Sequence, residues 1–170
     1  CMYCMRRKDF FRGKWLRRSS GYPTWFGRLV IPRRVVVKRA INEEYHTDGK
    51  TAYLQRHLWH YPFRKGVAAW VDKHNRYSSM EAEALSQRNE SIPLHDLFAR
   101  DPVLQRKAMK QWVYRLPMRP LIVFIGLYIG KRGLLDGTAG FSYCLLRAFY
   151  EYLIDLKAIE LRLRRAGRPM

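Results

Sequence analysis

Acid is what this sequence lacks. Against 33 lysines and arginines it carries 14 aspartates and glutamates, a formal net charge of +19 over 170 residues. That imbalance disfavours a cationic main partner and points to a polyanion: nucleic acid, anionic lipid headgroups or a phosphorylated substrate. Cysteine is scarce too. Cys1, Cys4 and Cys144 are too few for a disulfide framework, and the Cys1/Cys4 C-x-x-C has no second ligand pair of the kind a zinc ribbon needs. An odd count suits a reducing compartment such as a cytoplasm, and Cys144, inside an apolar run, reads as a packed thiol. Long hydrophobic runs are also missing. The longest, "PLIVFIGLYIG", is about half of the roughly 20 residues a spanning helix requires. The start shows no apolar signal-peptide core. It opens on Cys and runs straight into a basic, aromatic stretch, so the chain is expected to be a fragment with its upstream part missing.

What is present suits a folded chain. A hydrophobic content of 48% with 14% aromatics excludes a disordered polymer, and the length is enough to bury a core. Residues 1–40 hold twelve basic residues and one acid, Asp9. "SSGYPTWFG" reads as loop and "RRVVVKRAI" as a strand. Asp48-Gly49 is a hairpin signal, with "TAYLQRHLWHY" as the returning strand. From Gly66 the period becomes helical through Val67, Trp70, Val71, His74 and Tyr77, and "SSMEAEALSQRNE" continues it. Pro93 marks a break. A second helix is expected over 101–117, capped by Asp101, opened by Pro102 and ended by Pro117. A long C-terminal helix is expected over 142–165, with Leu145, Phe149, Tyr152, Leu153 and Leu156 as its apolar stripe. Basic flanks with interleaved Trp and Tyr favour in-plane membrane association of these helices over simple core packing.

"INEEYHTDG" places Glu43 and Glu44 where a strand meets a short connection. Taken alone, such acids are usually solvated, and lone histidines are rarely ligands. A carboxylate can also take a proton from an attacking hydroxyl, and a neutral imidazole can bind a divalent ion. Spacing alone does not choose between these readings.

Five segments in one order add a resemblance: "GKWLRRSSGYPTWFGRLV", "INEEYHTDG", "LWHYPF", "DKHNRYSSMEA" and "LYIGKRGLLDGTAGFSYCLLRAFYEYLIDLKAIELR". Together they resemble the C-terminal half of bacterial family 2 glycosyltransferases of the cell-envelope type, which have a GT-A fold. The resemblance spans about Arg6 to Arg162. It implies an α+β architecture: residues 1–64 as the acceptor side of the catalytic domain, with a sheet remnant and the acidic motif, and 65–170 as a helical, membrane-associating region. It implies an inverting transferase moving a sugar from a nucleotide-sugar donor to a cell-envelope glycan or lipid-linked acceptor, at the cytoplasmic face of the inner membrane. "NEE" stands where the family has its catalytic acid, so Glu43 is the preferred base, six residues before Gly49, and Glu44 the second choice. His60 of "LWHY" matches a histidine that helps hold a divalent cation (Mg or Mn) and the donor diphosphate. Arg28, Arg17 and Arg18 are candidates for phosphate contacts, and Trp15, Tyr22 and Trp25 for the acceptor site. For each of these, an exposed arginine or a packed loop aromatic is an equally available role.

One family feature is missing. No D-x-D occurs in the sequence, so the donor-binding half is expected to lie outside this chain, and no specific nucleic-acid partner is expected. The rival classes are a basic nucleic-acid-binding (ribosome-associated) protein and a non-catalytic peripheral membrane protein. The first explains the charge but not "PLIVFIGLYIG", and no helix-turn-helix, zinc-finger or RNP signature is present.

Overall fold

The computed structural model describes residues 2–37, 45–87 and 118–170, and the chain is α+β. Its centre is a ten-residue strand, β1 (Met2–Phe11). One edge of β1 pairs antiparallel with β3 (Trp25–Val30) and, at its far end, with β2 (Lys14–Trp15). The other edge pairs parallel with β6 (Thr51–His60), in a register that sets Asp9 against His60. A separate two-stranded sheet joins β4 (Val35–Val37) to β5 (Tyr45–Thr47).

The β1–β2 connection is a two-residue turn in which Arg12 and Gly13 both have positive φ (51° and 73°), as the twist of a tight hairpin requires. The hairpin expected at Asp48-Gly49 does not form. The turn is there, with the Gly49 N–H donating to Thr47 Oγ1 at 3.1 Å. The strands on either side of it, however, pair with different partners, β5 with β4 and β6 with β1. A local turn signal cannot report such a long-range choice.

Three helical elements follow. Helix α1 (Gly66–Gln87) matches the periodicity of its sequence. The helix expected over 101–117, with Leu104, Ala108 and Trp112 on one face, lies outside the described residues, as do Glu43 and Glu44. Helix α2 (Arg119–Ile125) runs into a π turn at Gly126–Gly130 and a 3-10 turn at Gly133–Asp136. Helix α3 (Gly137–Arg165) starts five residues earlier than expected. The glycines of "RGLLDGTAG" explain this. A Cβ on Gly133 would come within 2.7 Å of the Leu127 carbonyl oxygen, and one on Gly140 would overlap the Gly133 carbonyl. The glycines permit backbone-on-backbone packing, so a loop-like composition here marks close approach.

Two apolar clusters bind the helices to each other and to the sheet. Trp70 and Ala82 of α1 pack on Tyr150, Ile154 and Ala158 of α3. Phe11 and Leu16 pack on Ala139, and Phe63 and Leu146 touch both clusters. Polar ties reinforce them. Lys157 Nζ donates to the Asn75 carbonyl (2.6 Å), Asn75 Oδ1 (2.6 Å), Ser78 Oγ (2.9 Å) and Ser79 Oγ (2.8 Å). The "HNRYSS" segment thus works as an acceptor cup for a lysine on α3. Arg119 is fully buried. Its guanidinium meets Glu151 at 2.8 Å and Asp155 at 3.1 Å, so a charge that would be costly alone is neutralised.

The expected stripe of α3 is exposed at Leu145, Phe149 and Tyr152 and half-buried at Leu153 and Leu156. Small residues, Ala139, Gly140, Cys144, Ala148 and Ala158, are buried, while Phe141, Leu145, Phe149 and Tyr152 are exposed. Tyr150 and Ile154 are buried with the small residues, so the inward face combines close backbone approach with two large anchors. Cys144 is a packed thiol as expected, fully buried, with its pKa pushed up to about 11 by that burial and by nearby Asp136.

Candidate functional site

The parallel pairing of β1 and β6 brings together two residues 51 positions apart. Asp9 is 4% exposed, and its Oδ1 accepts from His60 Nδ1 at 2.5 Å. Arg7 holds the same carboxylate: its Nη2 donates to Oδ2 at 3.2 Å, and its Nε lies 2.9 Å from Oδ1 without being aimed at it. This arrangement fixes the imidazole and leaves Nε2 as its available edge, since a histidine bonded through one nitrogen presents the other.

His60 opens onto a cavity of about 460 Å³ between the sheet end, α1 and α3. Arg7, Arg64, Lys65, Lys73 and Arg147 line it, together with the first residue of α1, Gly66. Asp9 is the one carboxylate in that lining, and it is already engaged. No acid occupies the first turn of α1, so the positive end of the helix adds to the same field. Tyr143 lines the wall, and burial raises its phenol above the ordinary value, keeping it a neutral donor. Arg7 is already paired with Asp9, and Arg147 lies 3.5 Å from Glu151; the cationic excess that remains suits an anion, in a cavity within the size range of small-molecule sites.

His74 forms the far wall. Its ring stacks on Trp70 at 3.6 Å, meets Tyr150 edge-on at 5.0 Å, and its Nδ1–H donates to the Trp70 carbonyl at 2.8 Å. Burial lowers its pKa below 6.5; Arg147 and Lys73 act the same way, and the Trp70 carbonyl opposes them. With the folded value below the unfolded one, the stability linked to the neutral ring is fully present above about pH 6.5. It is lost as pH falls through that value towards the folded pKa. Urea midpoints are therefore expected to drop between pH 7.5 and 5, and His74→Phe is expected to flatten that part of the profile. An unchanged slope in the variant would remove His74 from the account.

The other candidates are placed elsewhere. Trp15 and Tyr22 meet edge-on at 5.1 Å, and Tyr22 Oη lies 2.9 Å from His57 Nε2. Trp25 packs edge-on to Tyr53 at 5.0 Å. Arg6 lies over Trp25 and Lys8 over Trp15. Residues 6 and 8 alternate with Asp9, so these aromatics occupy the face of the sheet opposite His60. The structure brings Trp15, Tyr22 and Trp25 together with cations, but not with the His60 cavity. Burial lowers the His57 pKa from 6.5, helped by Lys8 and Arg6, so it suits a neutral partner for Tyr22.

Arg28 is exposed and stacks over Phe26 at 5.4 Å, outside the cavity lining. The Arg17 and Arg18 side chains are exposed, while their backbone N–H groups donate to Asp136 at 3.2 and 2.9 Å. The anion bound by this loop is thus a carboxylate of the chain itself. The sequence reading passed over Asp9, Arg7, Lys73 and Arg147. Asp9 did carry a signal, as the lone acid among the first forty residues.

The resemblance implies a divalent cation. Among the described residues no three His, Cys, Asp or Glu side chains form a metal-binding group. Asp9 is shared by Arg7 and His60, so His60 Nε2 is a single ligand in a cationic surround that repels a bare ion. The described residues do not make a self-contained metal site. Comparison with protein-family models, curated proteins and solved structures finds no match.

Proposed function

We propose that the chain is the acceptor-side part of an inverting, family 2-like glycosyltransferase with a GT-A catalytic domain, followed by a helical region that lies on a membrane. The observation that carries this reading is His60, fixed by a buried Asp9 at the mouth of a cavity walled by five cations. A sugar nucleotide leaves behind a diphosphate, and prepositioned cations stabilise the charge that develops on it as the glycosidic bond breaks. Glu43, or else Glu44, removes the proton of the acceptor hydroxyl as it attacks the anomeric carbon. A divalent cation belongs to this reading as a companion of the donor diphosphate.

The membrane part rests on exposure. Among the described residues no helix is long and apolar enough to cross a bilayer. Leu121, Ile122, Ile125 and Ile129 are nevertheless exposed, and Phe124 and Tyr128 of that segment pack against Phe141, which begins the exposed stripe of α3. Lys131 and Arg132 border this apolar surface, as suits in-plane docking on anionic lipid. The setting proposed is the cytoplasmic face of a bacterial inner membrane. A second reading is favoured by the opposite sheet face, where exposed Trp25, Tyr53 and Trp59 alternate with Arg6 and Lys8: stacking surfaces among cations also suit single-stranded nucleic acid. Vesicle flotation and RNA gel shift at physiological salt separate the two.

Without a D-x-D half, residues 1–170 hold the diphosphate end of a donor only. Calorimetric titration of the chain with a panel of nucleotide sugars and Mn²⁺ is expected to show no micromolar binding. Micromolar affinity for any of them would contradict the division of labour proposed here.

A further inference from the structure

A second cavity, of about 690 Å³, adjoins the first at the end of the sheet. Tyr61 and Arg64 line both. Its other walls are Phe10, Phe11 and Phe63, with Arg12 and Gly13 of the β1–β2 turn. The aromatic rings are already ordered: Phe10 stacks on Tyr61 at 5.2 Å, and Phe11 meets Phe63 at 4.1 Å. Four aromatic rings and two guanidinium groups line it, with no carboxylate among them. A sugar alone leaves the arginines unused, and a free phosphate leaves the rings unused. An apolar chain ending in phosphate uses both.

We propose that this cavity binds a lipid phosphate, the apolar chain lying against Phe10, Phe11, Tyr61 and Phe63 and the phosphate between Arg12 and Arg64. The site is placed to receive such a ligand from a membrane. Arg12 Nη1 donates to Ser142 Oγ at 3.3 Å, and Ser142 follows Phe141 at the start of the exposed apolar stripe of α3. The Arg12–Ser142 contact thus sets the cavity beside the face proposed to dock. This inference rests on the glycosyltransferase reading for its meaning: the lipid phosphate is the acceptor, seated beside the donor diphosphate pocket, with Arg64 common to both.

The test uses residues 1–170 and farnesyl phosphate below its micelle-forming concentration, with farnesol and inorganic phosphate as the other arms. Calorimetry is expected to show farnesyl phosphate binding at least about tenfold more tightly than either, one charge-assisted contact being enough for that ratio. Arg12→Gln with Arg64→Gln is expected to reduce farnesyl phosphate to the level of farnesol, and Tyr61→Ser to weaken it severalfold. All three side chains are at the surface, and a retained thermal midpoint confirms folding. Ile125→Ser with Ile129→Ser, on the membrane-facing surface, is expected to leave binding unchanged. Equal affinity for farnesyl phosphate and farnesol, or loss of binding in the Ile125/Ile129 variant, would show adsorption to exposed apolar surface and overturn the proposal. Equal affinity for inorganic phosphate would reduce the site to a simple anion site and overturn it as well. Binding is read here without a donor or any transfer, so the site stands or falls separately from the transferase reading.

Discussion

Replacing Asp136 by alanine is expected to lower the unfolding free energy by about 3 to 5 kcal/mol, a large part of the stability of a domain this size. Asp136 is 3% exposed, and its carboxylate accepts from the N–H groups of Arg17, Arg18 and Ser19 and from Ser19 Oγ, the last two at 2.8 and 2.7 Å. An aspartate at the start of a helix ordinarily caps its own first turn. This one makes no such bond to α3, because both of its oxygens reach across to the loop after β2. Removing them leaves three backbone donors without their acceptor and detaches the start of α3 from the sheet. Asp136→Asn keeps the shape but presents an amide to donors, so it is expected to recover only part of the loss. Urea denaturation reads both effects. A midpoint within error of the native chain for Asp136→Ala would mean that the loop finds other partners and that the α3–sheet junction is not held here.

The same residue shows where sequence reading succeeds and where it stops. The helix expected from residue 142 left "RGLLDGTAG" outside it, because what demands glycine at 133 and 140 is the approach of another backbone, which local composition does not show. Helix α1 was legible in its period, since the pattern that identifies a helix is the pattern that packs it. The apolar stripe of α3 was legible in the sequence, whereas the residues that form the core beneath it were not. Alanine, glycine and cysteine face inward there beside Tyr150 and Ile154, and periodicity counts large apolar residues first. His60 was found through the resemblance, whereas its partner Asp9 depends on a parallel register that no local pattern encodes. The five cations around the cavity come from β1, the 61–66 turn, α1 and α3, so only the fold assembles them. The aromatic set Trp15, Tyr22 and Trp25 illustrates the converse. The resemblance made these residues candidates for the acceptor site, while strand alternation puts them on the face opposite His60.

These placements sharpen what the base must do. Glu43 and Glu44 precede β5, whose strand pairs with β4 and not with the sheet carrying His60. In the proposed reaction the acid touches the acceptor hydroxyl, while the cationic cavity takes charge on the opposite side of the bond being broken, so the two groups need not share a sheet. Their contributions are then separable. Neutralising cavity cations, as in Lys73→Gln with Arg147→Gln, affects the leaving group, and neutralising the acid affects the nucleophile.

The central claim is tested most directly by sugar transfer with residues 1–170 joined to a donor-binding half of the proposed kind, with Glu43→Gln as the variant. Gln keeps the size and hydrogen-bonding reach of Glu but cannot accept the proton. A positioned base is worth on the order of 10² to 10⁴ in rate, and the donor contacts lie elsewhere. Transfer of labelled sugar to a membrane-derived acceptor is therefore expected to fall by that factor in Glu43→Gln, with the donor dissociation constant unchanged. Transfer by Glu43→Gln at the native rate, or no transfer by the native protein with any nucleotide sugar, would contradict the account.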